Sequence, residues 1–245
     1  MGIPFVWSDD VAEGLAALLA TGGPGAAVFD ADGTLWAADA VHAFLAQCGD
    51  RLPAHREPVW DANIHCVLHE ITPESATRQL ALFAGLDLDR AAQWAAETFA
   101  ERIAPTRYEP VWELARDLVA AGFEIWVCSG SPQWLVEPCV AALIGADRVI
   151  ATRSGVRAGK LTDAAVEITS GPGKRTAIAS RIAGRLRFAA GDSMSDFEML
   201  LSAERALVMA PPDDDGRRGG LPAIARDRGW WVQPVAGTAT AEATP

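Results

Sequence analysis

Lysine is almost missing from this sequence: of 21 basic residues, only Lys160 and Lys174 are lysines. Basic charge as a whole is short, since 32 acids leave a net charge of -11. No basic face is available for a nucleic acid or an anionic membrane, and neither is expected as a partner. No apolar run approaches the ~20 residues that span a bilayer. The first 22 residues carry Asp9, Asp10 and Glu13 where a secretory leader needs basic residues, and Val6 stands where a myristoylation signal needs Ser or Thr. Cysteine is scarce as well. Cys48, Cys66, Cys128 and Cys139 show no CxxC spacing, and Cys128 lies inside an apolar run. Unpaired, buried thiols in a reducing cytoplasm are the expectation.

What is present suits a packed globular chain. Half of the 245 residues are hydrophobic, enough for one substantial core and a smaller appended unit. Short apolar runs recur at Ala26–Asp30, Phe123–Ser129, Arg148–Thr152, Leu186–Asp192 and Ala206–Ala210, and most end in a polar or small residue. Buried parallel strands that deliver residues to a site read this way. Between them, Glu109–Ala121, Lys174–Ile182 and Ser195–Ser202 have helical periodicity, which predicts an α/β sheet with helices on both faces. Residues 36–108 interrupt the alternation. They hold no clear strand but three helical stretches, Ala38–Gln47, Pro73–Phe83 after a Thr72 cap, and Asp89–Ile103. A helical insertion directly after the first strand reads as a lid over the crevice at the strand ends. The expected division is a discontinuous core of residues 1–35 and 109–234, a helical cap of 36–108, and a flexible tail of 235–245. Arg153–Asp163 carries hairpin-type glycines, and 211–220 reads as a polar loop.

Three strand-end elements and a lysine that opens a helix carry chemistry. Asp30-Ala31-Asp32-Gly33-Thr34 sets two carboxylates two residues apart before a glycine that permits a tight turn. Such a pair divides nucleophilic from acid–base work, although Asp, Gly and Thr also make ordinary turns. Gly191-Asp192-Ser193-Met194-Ser195-Asp196 again delivers acids after a strand. Hard Mg²⁺ is held by such carboxylates, and a helix N-cap explains one of the two acids but not both. Ser129-Gly130-Ser131 precedes a helix opening at Pro132, an arrangement that suits an anion or is a serine-rich turn. Lys174 opens a helix, where the dipole disfavours a cation unless an anion is near. Lys160 falls in the hairpin and is expected to be solvated.

In order and spacing these elements resemble the haloacid dehalogenase superfamily, in its phosphoserine phosphatase-like branch. The resemblance runs from Ala26 to about Ala210: Asp30–Thr34 matches DxDGT, Ser129 the strand-end serine, Lys174 the lysine, and Gly191–Asp196 GDxxxD. It implies a Rossmann-like parallel sheet with an inserted helical cap, and a Mg²⁺-dependent phosphatase acting on a small phosphorylated metabolite. Carried over, Asp30 is the nucleophile and a metal ligand. Asp32 is the acid–base, with its backbone carbonyl on the metal, and Asp192 is the second carboxylate ligand. Asp196 supports the site from behind. Ser129 and the Gly130 amide hold phosphoryl oxygens, and Lys174 offsets charge.

Haloacid dehalogenases share the nucleophile but release halide without a proton, so Asp32 favours phosphoryl transfer; a phosphomutase differs only in product. Asp39, nine residues after Asp30, is either a partner for a substrate ammonium or the cap of the next helix. Arg78 is the candidate for a substrate carboxylate. Trp36 and Trp134 either line an aromatic pocket of phosphorylcholine-phosphatase type or pack in the core, where Trp112 and Trp126 are expected. His65, His69 and Glu70 have helical spacing but lack a further ligand for zinc.

Overall fold

The computed structural model describes residues 2–56, 60–69, 72–211 and 220–235, with backbone alone for Arg56, Leu68 and His69. In chain order the elements are α1 (Asp9–Thr21), β1 (Ala26–Phe29), α2 (Ala40–Cys48), α3 (Trp60–His69), α4 (Pro73–Leu82), α5 (Leu88–Thr98) and α6 (Glu109–Ala120). There follow β2 (Glu124–Pro132), α7 (Gln133–Val140), β3 (Val149–Arg157), β4 (Lys160–Glu167), α8 (Pro172–Arg181), β5 (Leu186–Gly191), α9 (Phe197–Leu201), β6 (Arg205–Ala210), α10 (Leu221–Asp227) and β7 (Trp231–Pro234).

Seven strands form one sheet in the order β4-β3-β2-β1-β5-β6-β7, parallel at every pair but β3 with β4. The fold is the α/β, Rossmann-like sheet expected from the alternation, with helices on both faces. Successive residues of the central strands feed opposite layers. Ala27, Phe29, Val127, Phe188 and Leu207 join a core shared with α1, α2 and α6. Ala26, Val28, Cys128, Ala189 and Val208 face a second core closed by α8, α9 and α10. The chain leaves β1 with β2 on one side and β5 on the other, so the strand ends open a crevice there. All four cysteines are buried and none is in a disulfide, and no helix of the described residues is long and apolar enough to cross a membrane.

The helical insertion sits over this crevice. Thr72 caps α4 by a reciprocal exchange with Ser75, and Asp87 caps α5 through the Arg90 amide. The expected helix to Ile103 ends at Thr98 and continues as a π-helical turn over Phe99–Ile103. The hairpin is present, and its two-residue turn holds Ala158 and Gly159 at φ of 50° and 76°, a mirror-image turn that suits the strand twist. It extends β3 five residues past Thr152, and Lys160 is exposed. It also grips the insertion. The Gly85 amide donates to the Leu161 carbonyl, the Leu161 amide to Leu86 and the Leu88 amide to Gly159, each at 2.9 Å.

Three expectations need correcting. The helix read over Ser195–Ser202 is a 3-10 turn at Met194–Asp196 followed by the short α9. Trp126 is only partly buried, whereas Trp112 is core. Val235, placed at the start of the tail, is buried and its amide donates to the Ala210 carbonyl. Residues 212–219 and 236–245 lie outside the described residues, as do Glu70 and the side chain of His69.

Phe188 in β5 is fully buried, its ring 5.5 Å from that of Phe29 and 6.4 Å from that of Trp231. Phe188→Ala is expected to cost about 3–5 kcal/mol in denaturant unfolding, as truncation of a buried aromatic does. A loss below about 1 kcal/mol would show that this layer repacks freely.

Candidate active site

Three strand-end segments and the start of a helix converge. Asp30 follows β1 directly, its amide bonded to the Ala190 carbonyl of β5. Ser129 lies on β2, and Asp192 follows the last residue of β5. Lys174 stands in the first turn of α8, with no exposed surface. Its Nζ donates to Asp30 Oδ1 at 2.5 Å, to Asp196 Oδ1 at 2.5 Å and to the Cys128 carbonyl at 2.8 Å. All three ammonium protons are thus satisfied, which burial demands. Burial alone would pull this lysine down, but Asp196 and Asp30 outweigh it and hold its pKa above the ordinary range. Burial and then repulsion from Asp196 push Asp30 well above the usual carboxylate range, against the pull of Lys174.

Asp196 is committed on both oxygens. Its Oδ2 accepts the amides of Asp192 and Ser193, at 3.0 and 3.1 Å, and the Ser193 hydroxyl at 3.3 Å. It therefore shapes the loop that presents Asp192. Oxygens of Asp30, Asp192 and Asp196 all lie within 4.8 Å of one another. This all-oxygen set suits a hard divalent cation. With Asp196 spent on Lys174 and the loop, Asp30 and Asp192 are the carboxylates that fit a metal. Gly33 makes the room. Its φ is 78°, and a Cβ there would fall 2.2 Å from Asp192 Oδ2.

Asp32 is clasped by three donors. Trp36 Nε1 and the Ala40 amide bond its Oδ1 at 2.7 and 2.9 Å, and the Ser131 hydroxyl bonds its Oδ2 at 2.5 Å. Burial and the nearby charge of Asp39 raise its pKa to about 6, while the donors restrain the rise. A carboxyl poised there trades a proton readily near neutral pH. Ser131 escaped the sequence reading in this role. Its position two residues after Ser129 on a strand, hence on the same side, was the available signal. The Ser131 amide in turn donates to Ser129 Oγ at 3.1 Å, and the Thr169 hydroxyl closes on the Ser129 carbonyl. Gln79 of α4, also missed, donates Nε2–H to the Gly130 carbonyl at 2.7 Å.

The structure brings Asp30, Asp32, Ser129, Gly130, Lys174, Asp192 and Asp196 together. The specificity candidates fare differently. Trp36 has no exposed surface and packs edge-on against Phe99, so its pocket-lining reading gives way to core packing with a bond to Asp32. Trp134, 7% exposed, sits in a cluster with Phe44 and Phe83. Asp39 caps α2 by accepting the His42 amide at 2.9 Å. Arg78, expected to reach a substrate carboxylate, is instead held on the outside of α4 by Glu74, one turn back, at 2.8 Å.

A profile of the haloacid dehalogenase-like hydrolases matches residues 27–201. The chain belongs to that family. No curated protein matches it. Among solved structures, a protein of unknown function from Bordetella pertussis Tohama I is 23% identical, with a TM-score of 0.68 over 85% of this chain and 97% of that one. A HAD-family hydrolase from Salmonella enterica serovar Typhi is 17% identical, with a TM-score of 0.62 over 94% and 78%. A phosphoserine phosphohydrolase-like protein from Francisella tularensis is 20% identical, with a TM-score of 0.56 over 84% and 94%. These neighbours share the fold.

The Asp32 environment makes metal-free stability depend on pH. Its carboxyl titrates near 4 in an unfolded chain and near 6 in the fold. The stability this group contributes is complete below the unfolded value and is lost as pH rises through 6. In chelator, the melting temperature of the parent minus that of Asp32→Asn is expected to grow as pH falls from 7.5 to 5. A difference that stays flat, or shrinks, over that range would contradict the assignment.

Proposed function

We propose that this haloacid dehalogenase-like hydrolase is a Mg²⁺-dependent phosphatase that cleaves a small phosphomonoester through an aspartyl-phosphate on Asp30. The observation that carries this reading is the carboxylate pair at the mouth of β1, with the ammonium of Lys174 on Asp30 and three hydrogen-bond donors on Asp32. A carboxylate oxygen of Asp30 attacks phosphorus, and the bond from phosphorus to the leaving oxygen breaks. Asp32, protonated, gives its proton to the departing alkoxide. Asp32, now ionised, takes a proton from water, whose oxygen attacks phosphorus. The bond to Asp30 breaks, and inorganic phosphate leaves.

Ser129 and the Gly130 amide hold the phosphoryl oxygens, and Lys174 offsets negative charge on Asp30 and the phosphate. Asp30, Asp192 and the Asp32 backbone carbonyl would hold Mg²⁺, which would supply the positive charge that lets a phosphate dianion approach this acidic cluster. A departing halide needs no acid, so the acid–base carboxyl at Asp32 favours a phosphoester over a haloacid. Trp36 is buried and Arg78 is engaged by Glu74, so neither supports recognition of a substrate amine or carboxylate, and recognition is assigned to the phosphoryl group.

Asp30→Asn is expected to abolish hydrolysis of phosphomonoesters, by at least ~10³-fold in kcat, while the melting temperature shows a folded protein. The assay follows free phosphate. Turnover retained in the variant, or an isomeric ester formed by the parent without phosphate release, would sink the reading.

Asp192→Ala is expected to raise the Mg²⁺ concentration for half-activity by more than about tenfold. Asp196→Asn, which keeps the shape of the group behind Lys174, should shift that midpoint less than Asp192→Ala does. Mg²⁺ titrations of both variants that overlay the parent's would remove the metal assignment.

A further inference from the structure

We infer that Gln79 is a positioning residue through which the helical cap sets the phosphate-binding hydroxyl of Ser129; this rests on the phosphatase reading above. Gln79 is 5% exposed, a polar side chain on the inner face of α4. Phe83, four residues on and so on the same face, packs edge-on against Trp134 at 5.1 Å. Both residues therefore press on the segment that runs from the phosphate turn into α7. The end of α4 is fixed a few residues later by the bonds from Gly85 and Leu86 to the hairpin. Gln79 is thus held in register over one peptide group.

That peptide group is the link to the site. The Gly130 carbonyl, which accepts Gln79 Nε2–H at 2.7 Å, shares a planar unit with the Ser131 N–H, and the two point in opposite directions. Gripping the carbonyl from the cap side therefore fixes where the N–H points. It points at Ser129 Oγ, 3.1 Å away. With this oxygen accepting the amide, the hydroxyl of Ser129 donates no hydrogen bond among the described residues. A hydroxyl so arranged is set to donate to an anion. The backbone of Ser129 is tied down separately by the Thr169 hydroxyl. A seated cap orients the Ser129 hydroxyl through two hydrogen bonds and one rigid peptide, without touching the phosphoryl group itself.

Two other roles for Gln79 are separable from this one. A latch that merely holds the cap would affect stability and leave phosphate affinity alone. A reader of the leaving group would affect esters unequally and leave inorganic phosphate alone. The test measures inorganic phosphate binding by calorimetry with Mg²⁺ in the parent, Gln79→Leu, Ser129→Ala and the double variant. Gln79→Leu is expected to weaken phosphate binding roughly five- to tenfold, the order of one lost hydrogen bond. It should also lower kcat/KM by a similar factor for esters of different alcohols, with the Mg²⁺ midpoint unmoved. Because Gln79 acts through Ser129, the double variant should lose no more than Ser129→Ala alone. Gln79→Glu keeps the side-chain shape and, ionised, puts an acceptor against an acceptor; it gives the same loss if leucine disturbs the cap. Phosphate affinity unchanged in the Gln79 variants, or losses that add in the double variant, overturns the inference and leaves the phosphatase reading standing. A parent that binds no inorganic phosphate in Mg²⁺ overturns both.

Discussion

The buried ammonium of Lys174 is the constraint on which the rest of the site is arranged. An unpaired charge in the interior is prohibitively costly, so a lysine with no exposed surface must meet acceptors on every proton. Its three acceptors come from three segments distant in sequence: Asp30 after β1, the Cys128 carbonyl in β2, and Asp196 beyond β5. Removing the ammonium would leave two buried carboxylates facing each other, a loss of about 3–5 kcal/mol by the measure of broken buried pairs. Two glycines record how closely the chain must approach around it. A Cβ on Gly173 would meet the Ile168 carbonyl oxygen at 2.1 Å, and one on Gly191 would meet the Asp196 Cβ at 2.6 Å. The use of lysine at this position, in a chain that otherwise prefers arginine, becomes intelligible on this geometry. A compact ammonium fits a three-acceptor pocket that a planar guanidinium cannot satisfy.

Much of this was legible in the sequence because three of the four motifs stand at the end of a strand. The apolar runs at Ala26, Phe123, Leu186 and Ala206 became β1, β2, β5 and β6, located by their short apolar stretch and its polar or small end. The elements that went unread lack that contrast. β7 is four residues long and only partly buried, so it shows no buried run. The helix α1 buries just Val11, Leu15 and Leu18 on one narrow stripe. Gln79 was invisible for another reason. Its role depends on which group a cap helix brings to the turn, and spacing along the chain does not encode that.

Trp36 shows how proximity to a motif misleads. Four residues beyond Asp32, it is well placed along the chain to line a pocket. The tight turn at Gly33 reverses the chain instead: the Gly33 amide bonds the Trp36 carbonyl, and the Leu35 amide bonds Ala31. The indole is carried back beneath Asp32, where its N–H serves the carboxylate while its rings pack on Phe99. The first turn of α2 adds the Ala40 amide to the same oxygen. Asp32 is thereby fastened to the start of the helical insertion and, through Ser131, to the Ser129–Ser131 turn. The cap reaches that turn a second time through Gln79, so the Asp32 carboxyl and the turn both feel where the cap lies.

Four aspartates within one small crevice hold four different environments, and those environments divide the labour. Asp196 gives both oxygens to Lys174 and to the loop amides, so it orders the site and has no oxygen to spare for a ligand. Asp32 is surrounded by neutral donors, with no cation among them; its partners allow either protonation state, as an acid that later becomes a base requires. Asp30 shares an ammonium with Asp196 yet remains crowded by negative charge, which raises its proton affinity and works against a nucleophile. Asp192 stands against the bare face of Gly33, where no side chain could be tolerated. One ammonium faces Asp30 and Asp196, while oxygens of Asp30, Asp192 and Asp196 all lie within 4.8 Å of one another. On the proposed function, a hard divalent cation held by Asp30 and Asp192 would offset this crowding of negative charge and favour the ionised form of Asp30.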